Sequence, residues 1–277
     1  AGDSAAEVLL ARAAAYARHP GSVSALFDYK TMEPLIDQPP FVRALRELVR
    51  ANQSNPQALE TTRDDAQSLL LSGNCAMALC WPTSRATDSS DAVEINCAPL
   101  PGADTIYNNR TEEWETAKGE TTTETSRATL LGISGRMGSV TSSARHTRAA
   151  AAALVWLASA DVTPTIATAN ESCSLSRSTQ VSQGGEWVAR AYGDAGQQYA
   201  SVLQADKSLR LWYFSIRIPG RSQYLEALSE AVKTSVKGEK TPELALKDAA
   251  DQWRDITTAL GLEAQREAYA RSLGIDD

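Results

Sequence analysis

The sequence predicts an α/β fold rich in helix, and three observations carry that prediction. Two stretches near the C-terminus place apolar residues at helical spacing behind clear start signals. Short continuous apolar runs, "CAMALCWP" and "ATLLGISG", are bounded by turn residues, the pattern of strands buried on both faces of an open sheet. With 277 residues, 43% hydrophobic and 22% charged, the chain has enough apolar material for one or two cores.

From the N-terminus, residues 5–17 read as an alanine-rich helix ending at "HPG". Residues 24–41, "SALFDYKTMEPLIDQPPF", mix short apolar pieces with turn residues and suit a hairpin or extended arm. After the double proline, residues 41–52 set Val42, Leu45, Leu48 and Val49 on one helical face. A helix over 63–71 stops at Gly73. The run 75–82 is then expected as a strand, and "AVEINCAPLPG" as a second. Residues 103–127, rich in Thr and Glu, read as an exposed excursion.

"ATLLGISG" predicts a further buried strand, and Ser143 is placed to cap the helix "ARHTRAAAAALVWLASA", whose Leu154, Val155, Leu157 and Ala158 predict deep packing. Residues 161–184 are irregular and Ser/Thr-rich, followed by a helix over about 186–204 and the strand-like "LRLWYFSIRIP". Tyr224, Leu225, Leu228, Ala231, Val232 and Val236 form one helical stripe. In the last long helix Thr241 is the N-cap and Pro242 the first helical residue, with Leu246, Ala249, Trp253, Ile256 and Leu260 on one face.

Composition also excludes functions. A net charge of −7 without a basic stripe argues against a nucleic-acid partner. No run of about 18 apolar residues predicts a membrane span. The first residues lack the basic start and uninterrupted apolar stretch of a signal peptide, so an export signal is expected to have been removed or to lie upstream. Cys75, Cys80, Cys97 and Cys173 allow two disulfides in three pairings, or buried reduced thiols. No CxxC spacing occurs and only His19 and His146 are present, so no metal site is expected.

Catalytic patterns fare no better. "GISGRMGS" is neither GxxxxGK[ST] nor GxGxxG, and no GxSxG occurs. His19 beside a Pro-Gly turn and His146 at a helix start read as structural. The pairs Glu112/Glu113 and Asp64/Asp65 read as solvated carboxylates rather than a glycosidic pair. No catalytic residue and no cofactor are expected. What remains is a set of aromatic and polar residues at the ends of apolar elements: Trp81, Thr83, Ser84 and Arg85, then Arg177, then Arg217, Arg221 and Tyr224. Rings that stack on sugar C–H faces, beside groups that hydrogen-bond hydroxyls, suit a carbohydrate cleft.

The order "FVRALRELV", "LLLSGNCAMALCWP", "APLPG", "LLGISG", "AAAALVWLAS" and "IPGRSQYLEALSEAVKTSVKGEKTPELALKDAADQWRDI" resembles the later part of bacterial ABC-transporter extracellular solute-binding proteins, family 1, the sugar-binding, maltose-binding-protein-like group. The resemblance runs from Phe41 to the C-terminus. It implies a periplasmic-binding-protein type II architecture of two α/β lobes joined by a hinge, with a solute held in the cleft and delivered to ABC permease subunits. It implies a periplasmic or extracellular location, with a lipid anchor on the full-length protein left open. It divides the chain into 1–127, part of the C-terminal lobe; 128–212, returning to the N-terminal lobe; and 213–277, helices packing on the C-terminal lobe. The first part of the N-terminal lobe is expected to be missing, which makes this a C-terminal portion that binds ligand weakly alone. Trp81, Thr83 and Ser84 are implied to face the cleft, with Ser222, Tyr224 and Leu225 contacting ligand at a helix start; Arg177 and Arg221, from the aromatic and polar set above, join them as candidate ligand contacts. Thr83 and Leu225 depart from the maltodextrin pattern, so maltose is not the expected ligand. Cys75 with Cys97 is the implied disulfide, with Cys80–Cys173 second. The alternatives are a carbohydrate-active hydrolase and a sensory or binding ectodomain on the same fold.

Overall fold

A computed structural model describes residues 2–55, 60–79, 94–117, 127–131, 138–169, 195–208 and 212–275. The chain divides into two compact units. The first comprises Ala1–Arg63, Leu100–Gly132 and Leu209–Asp277, the second Asp64–Pro99 and Ile133–Ser208. The backbone therefore passes from one unit to the other four times. The expected division grouped residues 64–99 with the two chain ends; the compact units group them with 133–208.

The first unit is built around α1, Gly2–Ala17. Ala6, Leu9, Leu10, Ala13, Ala14, Ala15, Tyr16 and Ala17 are all buried, so this helix is covered on more than one side. Its small residues let neighbours approach closely. α2, Pro39–Ser54, starts on its two prolines and buries Phe41, Ala44 and Leu45. The loop before it is tied by Asp28, whose carboxylate accepts from the Lys30 and Thr31 amides at 3.0 and 2.9 Å. An antiparallel bridge joins Phe27 to Pro34 around Met32, a buried residue at φ 60°.

Three helices end the unit. They are α7, Arg221–Val236; α8, Pro242–Leu260; and α9, Leu262–Leu273. α7 packs on α1 and α8, and α2 reaches both α7 and α8. The stripe from Tyr224 to Val232 is buried as its spacing predicts, and Thr241 caps α8 by accepting from the Leu244 amide at 3.3 Å. Phe27 stacks on Trp253 at 4.9 Å and meets Tyr224 and Tyr269 edge-on at 5.5 and 5.2 Å. Each such pair contributes roughly 0.5–1.5 kcal/mol beyond its burial.

Two small sheets flank these helices. Residues 105–116, within the stretch expected as an exposed excursion, form a hairpin of β1, Thr105–Asn108, and β2, Glu113–Thr116, with Tyr107 opposite Trp114. Its turn holds Glu112 at φ 56°. The correction has a physical cause: Ile106, Tyr107 and Asn108 are buried while β2 faces solvent, so half the hairpin reads as polar. β3, Thr129–Leu131, pairs in parallel with β4, Trp212–Phe214, within the two segments expected as strands.

The second unit differs from expectation. Its described helices are α3, Arg63–Leu71, which starts one residue before the unit; α4, Thr147–Leu157; α5, Thr163–Ala169; and α6, Gly196–Ser208. Residues 75–79 and 94–102 form no strand, and Met77 and Leu79 are 88% and 50% exposed. A strand buried on both faces needs covering elements, and these side chains have none over them. Nor does α4 pack deeply. It has no buried residue, and Val155, Trp156 and Leu157 are 71%, 63% and 44% exposed. Its N-cap is His146 rather than Ser143, whose hydroxyl pairs with that of Thr141.

Candidate functional site

The turn before α7 positions the expected helix-start residues. Gly220 sits at φ 80°, a left-handed conformation that favours glycine, and a Cβ there would lie 2.4 Å from a Leu260 methyl. Its carbonyl accepts from the Gln223 and Tyr224 amides at 2.9 and 3.2 Å and opens the helix. Arg221 points to α1 and pairs with Glu7 at 3.3 Å, while Ser222 is exposed. Leu225 is wholly buried.

Tyr224 belongs to the core. It has no exposed surface, its hydroxyl bonds Thr257 at 2.8 Å, and its carbonyl accepts from the Trp253 indole at 2.8 Å. Burial pushes its phenol up, against the Thr257 bond. The helical stripe that signals a core face already contained Tyr224, and its burial follows that signal. Trp81, Thr83, Ser84, Arg177, Cys80 and Cys173 lie outside the described residues.

Cys75 and Cys97 are free thiols, which corrects the implied disulfide. Neither lies on a strand, so no ladder holds their sulfurs side by side. Burial raises the Cys97 thiol, and the Cys97 amide donates to Gln198 at 3.2 Å. His19 is engaged at both nitrogens. Nδ1 accepts from the Gly21 amide at 3.0 Å, which leaves Nε2 to donate to Glu115 at 3.2 Å. Asn108 donates to the same carboxylate at 2.6 Å, and these bonds hold Glu115 below the usual range, Asn108 first.

Other chemistry is scarce among the described residues. They hold no group of three or more His, Cys, Asp and Glu able to bind a metal, and no helix long and apolar enough to cross a membrane. A groove between α7 and α8, lined by Glu230, Thr234, Lys240 and Asp248, encloses about 70 Å³. Ligand sites start near 300 Å³, so this space suits water rather than a sugar.

One cluster in the first unit is richer, and sequence reading missed it. Tyr16 on α1 donates from its hydroxyl to Glu47 on α2 at 2.6 Å, and Arg12 donates to both. The Arg43 guanidinium lies 4.4 Å from the Tyr16 ring centre and 5.2 Å from that of Trp114, and donates to the Thr105 hydroxyl at 2.8 Å. Trp114 meets Tyr16 and Tyr107 edge-on at 6.0 and 5.3 Å and remains 38% exposed. Burial raises the Tyr16 phenol; burial also pushes the Glu47 carboxyl up, but hydrogen bonds from Arg12 and Tyr16 outweigh it and hold Glu47 ionised. The available signal was the i,i+4 spacing of Arg12/Tyr16 and Arg43/Glu47, two pairs each one helical turn apart. Chemically, the cluster brings together a ring, a planar donor and a carboxylate acceptor, each partly exposed.

No family model, curated protein or solved structure matches this chain.

Proposed function

We propose that this chain is the solute-binding component of an extracytoplasmic ABC import system, binding a carbohydrate without altering it and handing it to membrane permease subunits. The observation that carries the reading is the four-fold crossing of the backbone between two compact units, each assembled from separated segments. Such multiple connections are the covalent arrangement of a hinged binding protein, in which ligand shifts an equilibrium between conformations by its differential affinity. The order of motifs from "FVRALRELV" to "AADQWRDI" supports it.

The test is a thermal-shift screen of the full chain against mono- and oligosaccharides. Binding to the native state alone stabilises by about 2.7 kcal/mol at a hundredfold excess over Kd, so a dose-dependent rise in Tm is expected. No rise with any sugar overturns the reading. A second reading, an ectodomain that binds a protein, draws on α4, whose large apolar side chains face solvent.

A further inference from the structure

The hairpin β1–β2 and the helix α2 it rests on carry chemistry that the proposed function has not used. The cross-strand partner of Trp114, Tyr107, is covered, at 5% exposure. Trp114 instead keeps 38% of its surface exposed. Beside it, Arg43 is held by two rings, the Thr105 hydroxyl and Glu47 at 3.7 Å, while its side chain stays 41% exposed. Glu47 also keeps 32% of its side chain exposed. A carboxylate has about four acceptor sites and a guanidinium five donors, so both retain hydrogen-bonding capacity after these contacts.

A pyranose needs this combination: a ring for its apolar C–H face, an acceptor and a planar donor for adjacent hydroxyls. The donors and the ring are pre-set by packing from α1, so little side-chain freedom is lost on binding. We infer that Trp114, Arg43 and Glu47 form a saccharide-binding subsite on the surface of the first unit. This rests on the carbohydrate reading and adds a location to it.

The test is calorimetry of the full chain with glucose, xylotriose and cellotriose, repeated on Trp114→Ala, Trp114→Phe and Arg43→Lys, with Tm measured for each. The expected result is that at least one sugar binds. Trp114→Ala should then weaken it about tenfold. Trp114→Phe should restore most of the affinity, and Arg43→Lys should weaken binding while Tm holds. Unchanged affinity in folded Trp114→Ala and Arg43→Lys overturns the subsite and leaves the solute-binding reading standing. If Trp114→Ala does not fold, Arg43→Lys decides alone. No binding of any of the three sugars by the wild-type chain overturns the subsite, while the wider thermal-shift screen still judges the function.

Discussion

Within the core, the hydroxyls of Tyr224 and Thr257 satisfy only each other. Thr257→Val strands a buried phenol and should lower stability by about 1–3 kcal/mol, and Tyr224→Phe should do likewise. The double variant, with both polar groups gone, should lose less than the sum, which urea denaturation of all four proteins measures. Gly220→Ala adds a methyl at φ 80° against Leu260 and should cost about 1–2 kcal/mol by the same assay. Two carboxylates give opposite pH responses. Glu47 is held below its ordinary value, so its contribution is present above the normal carboxylate range and fades as pH falls through the lowered value. Asp37 is pushed up by burial, against the pull of its own backbone bond and Arg254, and one of its oxygens has no partner. Its ionised form therefore opposes folding at neutral pH, and the penalty disappears as pH falls below the unfolded value. Asp37→Asn should raise the denaturation midpoint at pH 7 and leave it nearly unchanged near pH ~3, whereas Glu47→Gln should lower it at pH 7 and little near pH ~3.

Helices declared themselves wherever a cap and a stripe agreed. Thr241 followed by Pro242, with Trp253 and Leu246 on the inner face, gave α8 to within a turn, and Thr241→Ala should cost about 1 kcal/mol, read from a thermal melt. The run from Cys75 to Leu79 misled, because a continuous apolar stretch states what a segment would bury and not what is present to cover it. The same holds for α4, where five alanines before Leu154 signal a packed helix yet no side chain is buried. The hairpin β1–β2 was hidden by chemistry of another kind: Glu113 and Glu115 flank Trp114, and an edge strand open to water carries charges that disguise it as a loop. At the site, the helix-start residues were found in sequence but their directions were not. Arg221 turns to Glu7 and Tyr224 to Trp253, choices made by α1 and α8 rather than by local pattern. The Trp114 cluster joins residues about 70 and 100 positions apart, which no local spacing encodes.

Across the whole molecule, stability is unevenly held. Among the described residues, the main buried core lies entirely in the first unit, and the second buries only Leu71 and Ala195 among apolar side chains. Hydrogen exchange should therefore find the amides of α1, α7 and α8 opening only with global unfolding, and those of α4 exchanging about a hundredfold faster or more; equal protection would refute this. The pairing of α1 with α7 has a consequence for how the protein comes into being. The Ala6 amide meets Ser229 across 223 positions, so α1, which α2 covers in part, waits for α7 before its apolar residues are fully covered. A nascent chain ending before Arg221 should remain protease-sensitive and lack a cooperative melt. Until α7 emerges, α1 has only part of its cover, so a chain held at that stage presents apolar surface that invites association with other chains.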